Sequence, residues 1–516
     1  MNKKQIVVFL SVIFLLAATL IVLFPILKPG LLVTDDGGWM VVRLSAFFQS
    51  LREGQFPVRF LGRLNQSYGY PVANFLYPGF MYIGSALHVL GLSFQASVEA
   101  IVVGSVSIGV VFTYFWLRRI FSNIAALAGA CVYLLMPYLL YDIFRRGSVG
   151  EILVIGLMPI ALFAIESRNK WLLAPAIALL AISHNTLAAF FIPILLGYIV
   201  LKKYWSQLLH FIIGVGMSSF FWLPVLFERR YVAFDTTSIS NPMSYFSISH
   251  TLILWSIPIG IAILYLLFNK GYKKQNEFWF FVVIAAVSIF FASGWSAFLW
   301  RISDVVKFVQ FPFRWLSLLT VAGPWLVACG INGLKKGKFI VILGITLIFV
   351  GNWATAYVGS VSVVQPEGYF STNEATTTVQ DEYMPLWASK QMSYRANKRM
   401  EFFMGRGTIT EKKVTTQKID VVIHAKEESV IQINTVYYPG WGAVLDGVRA
   451  TILYDNENGL MRIAVPAGDH QLYMEFRETP GRFLADALSA AFGVLYLISL
   501  IGLLILTNQK KGSNRK

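Results

Sequence analysis

The residues best suited to chemistry are two adjacent carboxylates near the start of the chain, Asp35 and Asp36, in the run Thr34-Asp35-Asp36-Gly37-Gly38-Trp39. They follow a long apolar segment, so a membrane helix would hold them at the membrane surface. A carboxylate held there can act as a general base or bind a metal ion. Because Asp is also a common N-cap residue, helix capping is an equally open interpretation. If a divalent metal ion is bound, Asp35 and Asp36 are its expected ligands, and no organic cofactor is expected.

Arginines between the apolar segments form a second chemical feature. Their planar guanidinium groups can contact phosphate through two hydrogen bonds at once. We therefore favour a phosphate-bearing ligand over the alternative, in which they pair with carboxylates or with lipid head groups. The arginines are Arg43, Arg52, Arg59, Arg63, Arg145, Arg146, Arg229, Arg230, Arg301 and Arg314, against only two lysines, Lys28 and Lys307. The carboxylates available for pairing include Asp142, Glu151, Glu228, Asp235 and Asp304.

Two further motifs could contact a sugar or a phosphate. His184 and Asn185 follow an apolar segment, and a titrating imidazole there could contact phosphate, although a hydrogen-bonded histidine at the membrane interface is the alternative. Tyr77 belongs to the aromatic, turn-rich residues 68–79, which suit stacking on a sugar face. An aromatic belt at the membrane interface explains this segment equally well.

The elements that position these residues are predicted membrane helices. Of the 516 residues, 56% are hydrophobic and only 14% are charged, which leaves too little polar surface for a soluble globule. Each apolar run of membrane-crossing length must be a helix, because hydrocarbon offers no other partner for backbone polar groups. The predicted spans are 6–27, 97–117, 121–141, 152–167, 171–184, 186–201, 207–227, 250–268, 278–293, 314–332, 338–357 and 483–506.

The sidedness of the chain follows from its basic clusters, because loops rich in Lys and Arg stay in the cytoplasm. Consecutive clusters are separated by two spans, provided that residues 80–92 lie on or re-enter the membrane instead of crossing it. Both termini are then cytoplasmic, and the arginine-rich loops lie outside the cell membrane. The clusters are at 3–4, 118–119, 168–170, 202–203, 270–274, 335–338 and 510–516.

Three parts follow: a multispan membrane domain over 1–357 with its first outer loop at 28–96, an outer domain over 358–482, and a last helix with a basic tail over 483–516. In the outer domain, apolar and polar residues alternate at 419–423 and 430–434, between Pro-Gly, Asp-Gly and Asn-Gly turns. This pattern predicts a β-sandwich. The fold class is thus an all-α polytopic membrane protein with an extracytoplasmic β-sandwich before its last helix.

The order of these features resembles the GT-C superfamily of multispan membrane glycosyltransferases. More narrowly, it resembles bacterial membrane proteins with the 6-pyruvoyl-tetrahydropterin synthase-related domain, a label that implies no pterin chemistry. One departure is Met40, which stands where a histidine often follows the acidic pair in such proteins. The residues that carry the resemblance are Thr34 to Trp39, Tyr77-Pro78, Arg146-Gly147 with Glu151, Ser183-His184-Asn185, Gln310 to Trp315, Asp381 to Pro385 and Tyr437 to Trp441.

The resemblance implies that Asp35 or Asp36 deprotonates an acceptor hydroxyl while arginines stabilise the departing polyprenyl phosphate. It also implies a second acidic position at Glu151, for which an ion pair with Arg145 or Arg146 is the alternative. Tyr383 and Trp441 could stack on sugars or pack the outer domain. The expected substrate-binding residues are Arg43, Arg59, Arg63, Tyr77, Arg145, Arg146, His184, Asn185, Arg314, Glu382 and Tyr383.

The function that this resemblance implies is transfer of a sugar from a polyprenyl-phosphate donor to a cell-envelope glycan, lipid or protein. The expected partners are the lipid-linked sugar and membrane lipids, and no nucleic acid is expected. One alternative is a noncatalytic binding protein or flippase for lipid-linked glycans. Another is a structural scaffold that displays the β-domain.

Overall fold

The computed structural model describes residues 2–235, 241–268, 276–302, 308–334, 337–388 and 392–513. Outside these residues lie Asp304, Lys307, the whole predicted basic cluster 270–274, and parts of two others, at 335–336 and 514–516. Within the described part, the long apolar segments are helices. The α-helices are Lys3–Val22, Gly37–Arg52, Gly79–Val89, Phe94–Arg118, Asn123–Leu134, Pro137–Tyr141, Val149–Glu166, Lys170–Ala181, Asn185–Leu201, Leu208–Met217, Ser219–Glu228, Phe246–Trp255, Ile257–Phe268, Asn276–Ala292, Ala297–Ile302, Leu319–Gly333, Lys338–Val358, Glu367–Ser371 and Pro480–Ser513.

The number of membrane spans falls between seven and ten by helix length and composition. In the described ranges, seven helices are long and apolar enough to cross a membrane, and three bent helix pairs raise the number to ten. The chain is therefore a multi-pass membrane protein. Lys170–Ala181 and Asn185–Leu201 are apolar but shorter, so the count of twelve stays a prediction. Gly79–Val89 is a helix of 11 residues, and its position at the membrane surface also stays a prediction.

The first outer loop is held by a short antiparallel ladder and a helix. Leu31–Leu32 (β1) pairs with Ser362–Val363 (β2), so the chain after the first span meets the chain after Lys338–Val358. The helix Gly37–Arg52, here called the outer helix, packs its apolar side on protein, and Leu44 and Phe47 are fully buried. The spacing of Met40, Leu44, Phe47 and Leu51 in the sequence predicts an amphipathic helix that lies flat on the membrane surface. The helix is confirmed, and other parts of the chain cover its apolar side. Its position on the membrane surface stays a prediction.

Two antiparallel sheets form the region before the last helix. One has the strand order β4-β5-β10-β7-β8 and the other the order β3-β6-β9. Alternate residues such as Ile419, Val421, Ile431 and Ile433 are buried in the apolar core, as the alternating pattern predicted. The strands are Met400–Met404 (β3), Gly407–Val414 (β4), Lys418–Ala425 (β5), Ser429–Val436 (β6), Trp441–Leu445 (β7), Val448–Ala450 (β8), Leu460–Val465 (β9) and Gly468–Phe476 (β10).

A buried ion pair joins the β-sheet region, the last helix and the helical bundle. Glu228 accepts hydrogen bonds from Arg482 Nε at 2.8 Å and from Arg482 Nη2 at 2.9 Å. The Glu228 carboxylate also accepts from Asn74 at 2.7 Å and from the Tyr438 hydroxyl at 2.8 Å. Arg482 and Glu228 are at most 2% exposed. We call these four residues the Glu228 clamp, since they come from four separate segments of the chain.

Candidate active site

The acidic pair is fixed by backbone contacts with the loop that ends a membrane helix. The Asp35 amide donates to the Arg145 carbonyl at 2.9 Å, and the Asp36 amide donates to the Arg146 carbonyl at 2.7 Å. Gly147 follows with φ of 72°, a conformation that favours glycine. A Cβ atom there would collide with the Thr34 hydroxyl, so the tight approach requires a residue without a side chain.

Asp36 occupies the N-cap position of the outer helix, but its side chain does not cap it. The Thr34 hydroxyl accepts the hydrogen bond from the Gly37 amide instead, at 3.1 Å. The Asp36 carboxylate lies 3.7 Å from the Arg146 guanidinium. The capping interpretation is therefore wrong for the Asp36 side chain, which is free to serve the site.

Asp35 has an exposed side chain, unlike most acids of the site. Desolvation by the surrounding protein, followed by the negative charge of Asp36, raises the pKa of the Asp35 carboxyl above its usual value. The positive charges of Arg146 and Arg145 offset only part of this rise. An accessible carboxylate with a raised pKa is a stronger base than an ordinary aspartate, so Asp35 suits proton abstraction.

Glu151 is the centre of a buried network. Its carboxylate is fully buried and lies 3.0 Å from Arg314 Nε and 3.2 Å from Arg146 Nη2. His184 Nε2 lies 3.4 Å away, and the Tyr138 hydroxyl donates to the second carboxylate oxygen. The ion pair with Arg146 that was considered as the alternative is thus present. Glu151 has no free lone pair directed at solvent, so the geometry favours positioning of the two arginines over direct proton transfer.

The Gln310-to-Arg314 motif holds these guanidinium groups in place. The Phe311 ring lies 4.9 Å from the Arg146 guanidinium and 5.0 Å from that of Arg314. Arg314 also donates to the Gln310 side chain at 2.6 Å. Cation–π contacts of this kind are strongest where water is excluded, so the motif keeps both arginines near Glu151.

Asp142 is a buried carboxylate that the sequence analysis did not include among the candidate site residues. It begins a turn of π-helix over Asp142–Arg146, and its side chain is fully buried. Neither carboxylate oxygen has a hydrogen-bond partner, and the nearest charge is Arg146 Nε at 3.8 Å. Turns of π-helix occur frequently at functional sites. Tyr138 and Gln310 are further site residues not named as candidates, because only the tertiary fold brings them to Glu151 and Arg314.

The His184 and Tyr77 rings are in contact beside this network, and Asn185 follows His184 in the chain. The His184 ring lies 4.6 Å from the Tyr77 ring, and its Nδ1 accepts a hydrogen bond from the Leu187 amide at 3.3 Å. That bond leaves the ring proton on Nε2, which faces Glu151. Asn185 donates to the Phe75 carbonyl at 2.8 Å, and its side-chain oxygen is buried with no hydrogen-bond partner among the described residues. His184 and Tyr77 therefore lie together next to Glu151, whereas Asn185 is held by Phe75.

Three arginines predicted to bind substrate are engaged elsewhere. Arg43 donates to the Thr377 carbonyl, and Arg63 donates to the Ser371 carbonyl and the Ser45 hydroxyl. The third, Arg59, is 1% exposed and contacts Glu478 at 3.1 Å, Asp486 at 2.7 Å and the Phe220 carbonyl at 2.7 Å. All three side chains link the first outer loop to distant parts of the chain. Their contacts are structural, and substrate binding by them stays a prediction.

The remaining candidates differ in accessibility. The Arg145 side chain is exposed and makes no ion pair with any residue in the described ranges. Tyr383 is buried and stacks on Phe75 at 5.4 Å, which is a packing contact. The Glu382 carboxylate accepts from the nearby Gln380 amide at 3.3 Å. Met40 is buried and its sulfur contacts Arg43, so this position supplies neither a metal ligand nor an acid.

A resident metal ion would need more ligands than the acidic pair offers. Among the residues that the structure describes, no group of three or more His, Cys, Asp or Glu side chains is arranged to hold a metal ion. Arg146 lies within 4 Å of Asp36, Asp142 and Glu151, where a cation would otherwise compensate these charges. A divalent ion at Asp35 and Asp36 stays a prediction, and no step below depends on one.

Comparison with known proteins gives weak structural similarity only. No family model and no curated protein matches the sequence. The arabinofuranosyltransferase AftD from Mycobacteria is 14% identical with a TM-score of 0.45, covering 71% of this chain and 28% of AftD. ArnT from Cupriavidus metallidurans, solved bound to undecaprenyl phosphate, is 16% identical with a TM-score of 0.45, covering 70% of this chain and 67% of ArnT. The chain thus spans under a third of AftD, and these similarities alone assign it neither a family nor an activity.

Proposed function

We propose that this protein transfers a sugar from a polyprenyl-phosphate donor to a hydroxyl of a cell-envelope acceptor, outside the cytoplasmic membrane. The observation that carries the proposal is the exposed carboxylate of Asp35, held by the backbone of Arg145 beside a buried network of arginines and acids. A site of this kind offers a base for the acceptor and cations for a phosphate at one place.

In the proposed reaction, Asp35 accepts the proton of the acceptor hydroxyl. The acceptor oxygen then forms a bond to the anomeric carbon of the donor sugar, and the bond from that carbon to the phosphate oxygen breaks. Polyprenyl phosphate leaves with the electron pair of the broken bond. Negative charge develops on the phosphate during this step, so a cation placed beside it lowers the barrier.

Arg145 is our choice for the cation that contacts the leaving phosphate. It is exposed and close enough to influence the pKa of Asp35, whereas Arg146 and Arg314 are buried against Glu151. Arg146 acts as a positioning residue, because it connects Asp36 to Glu151 across 3.7 Å and 3.2 Å. Opposite charges attract strongly where the dielectric constant is low. The pairs of Arg146 with Asp36 and Glu151 therefore keep Asp36, and with it the adjacent base Asp35, aligned with the phosphate site.

The test is sugar transfer by the purified protein in detergent, with a panel of radiolabelled polyprenyl-phosphate sugars. Asp35→Asn should lower the transfer rate by about 10²–10⁴-fold, the usual contribution of a general base. Asp36→Asn should reduce it less, and the double variant should match Asp35→Asn. Asp455→Asn, which changes an exposed loop carboxylate far from the pair in sequence, is the matched control and should transfer normally.

Two outcomes would overturn the proposal. One is a folded Asp35→Asn variant that transfers sugar as fast as the wild type. The other is wild-type protein that binds a donor without transferring its sugar to any acceptor offered, a result that favours a carrier or flippase.

A further inference from the structure

A cavity lies at the opposite end of the outer helix from the acidic pair. Its volume is about 480 Å³, within the range of small-molecule sites. It is bordered by Gln49 and Glu53 at the end of the outer helix, by residues 62–68 and 371–374, and by residues 395–399 and 414–416 of the β-sheet region. The outer helix has 16 residues, so its two ends lie about 24 Å apart. This cavity is therefore separate from the candidate active site.

The two carboxylates that line this cavity already have partners. Arg395 forms an ion pair with Glu374 at 3.1 Å, and Glu374 also accepts from the Ser67 hydroxyl at 2.7 Å. Glu53 accepts hydrogen bonds from the Thr416 amide and hydroxyl. Both lining carboxylates are thus engaged.

Arg399 is the unusual residue of this wall. Its Nη1 donates to the Ser67 carbonyl at 2.6 Å. Within the part of the chain that the structure describes, its Nε and Nη2 atoms are buried and have no hydrogen-bond partner, and the same holds for Nε of Arg63. A buried donor without a partner is unfavourable, and more so when it is charged. Burial lowers the pKa of Arg399 to about 10, and the negative charges of Glu53 and Glu411 offset only part of this fall. These nitrogen atoms are closed to solvent, so an anion in the cavity would be attracted by the positive charge of Arg399 and not by a direct hydrogen bond to them.

The other lining groups suit a sugar. Ser67, Thr372, Thr415 and Asn397 provide hydroxyl and amide groups that both donate and accept hydrogen bonds. The Tyr68 ring lies among them. We propose that this cavity binds a sugar residue that carries a carboxylate or a phosphate group, with the anion attracted by the positive charges of Arg63, Lys398 and Arg399 in the cavity wall. The site goes beyond the proposed function, since it can bind such a sugar whether or not the chain catalyses transfer.

The test is isothermal titration of the full-length protein in detergent with glucuronate, glucose 6-phosphate, glucose and inorganic phosphate. One or both acidic sugars should bind at least tenfold more tightly than glucose and than phosphate, and the preferred one identifies the anion. Arg399→Gln should weaken this binding at least tenfold, and Arg399→Lys should weaken it less because the charge remains. Arg406→Gln removes an exposed arginine of the same region outside the cavity and should leave binding unchanged.

Lys398→Glu covers the case in which Arg399→Gln fails to fold, since Lys398 lines the cavity with an exposed side chain. It should weaken binding of the acidic sugar by placing a negative charge at the rim. The proposal is overturned if neither acidic sugar binds, or if glucose or phosphate binds equally well. It is also overturned if a folded Arg399 or Lys398 variant binds the acidic sugar as the wild type does.

Discussion

Glu151 holds two buried guanidinium groups at the candidate active site, and its removal should affect stability before anything else. Glu151→Ala leaves Arg146 and Arg314 without their shared counter-charge, which should lower the free energy of unfolding by about 3–5 kcal/mol. Thermal unfolding in detergent measures the loss. Tyr138→Phe removes one hydrogen bond to the same carboxylate and should cost only about 1–2 kcal/mol. Equal effects of the two variants would show that Glu151 does not compensate the arginines.

The pH dependence of transfer tests Asp35 directly. A base acts when deprotonated, so the rate should rise with pH through the pKa of Asp35, which desolvation and the Asp36 charge raise. Asp36→Asn removes the neighbouring negative charge, so the pKa of Asp35 should fall and the acidic limb should move to lower pH. Arg145→Gln removes a positive charge and should move the limb to higher pH.

The measurement is kcat/KM as a function of pH for the wild type and both variants. Opposite shifts in the two variants would assign the acidic limb to Asp35. Shifts in the same direction, or no shift in either variant, would assign it to another group.

Individual contacts of the site were beyond reach of the sequence. Asp35 and Asp36 are proposed from the sequence because adjacent carboxylates follow a long apolar segment, and Glu151 because the GT-C resemblance implies a second acidic position; their roles stay predictions. The four-residue spacing of Asp142 and Arg146 on a helix was visible too, but the missing hydrogen bonds of Asp142 follow only from packing. Arg59 is predicted to bind substrate because it lies in the arginine-rich outer loop. Its partners Glu478 and Asp486 lie more than 400 residues away in sequence, so only the fold identifies them.

At the scale of elements, the turn at Gly147 decides where the acidic pair lies. Gly147→Ala should lower the transfer rate strongly, because its Cβ would displace Thr34 and with it Asp35 and Asp36. Gly337→Ala is the matched control, since Gly337 has the same φ of 72° but open space around it. Both variants carry the backbone cost of alanine in the left-handed region, about 1–2 kcal/mol. Only Gly147→Ala should also impair transfer, and equal impairment would mean that backbone strain alone is responsible.

The Glu228 clamp should hold the last helix against the β-sheet region. Arg482→Met leaves a buried carboxylate without its cation, and we expect about 3–5 kcal/mol lower stability. The Lys418–Glu475 pair is a suitable control because Lys418 is 39% exposed, and Lys418→Met should cost at most about 1 kcal/mol. Thermal unfolding and limited proteolysis near residue 479 compare the two. A stable, protease-resistant Arg482→Met protein would contradict a structural role for the clamp.

Helices and strands were the most predictable part of the fold. Hydropathy over about 20 residues determines a membrane helix, and alternation determines a half-buried strand, so both signals are local. Each predicted span overlaps a helix of the structure, and 419–423 and 430–434 fall within β5 and β6. The outer helix was predictable from its apolar spacing for the same reason, but the segments that cover it were not. Its actual neighbours come from residues such as Phe370 and Thr377, which local periodicity cannot identify.

For the whole molecule, the alternation of basic clusters predicts cytoplasmic termini and a β-sheet region outside the cell membrane. Single cysteines at Lys3 and Lys412, in a chain whose Cys131 and Cys329 are replaced by alanine, allow a direct test. An impermeant thiol reagent added to intact cells should label the Lys412→Cys protein and leave the Lys3→Cys protein unlabelled. Labelling at Lys3 would reverse the orientation and place the acidic pair in the cytoplasm.

In the proposed reaction, Asp35 acts in the transfer step and not in donor binding. A single-turnover reaction with excess purified protein and a radiolabelled polyprenyl-phosphate sugar measures both from one sample. The wild type should release polyprenyl phosphate and glycosylated acceptor in equal amounts, while Asp35→Asn should bind the donor with unchanged affinity and form product at least about 100-fold more slowly. Product formation by Asp35→Asn at the wild-type rate would show that Asp35 is not the general base of sugar transfer.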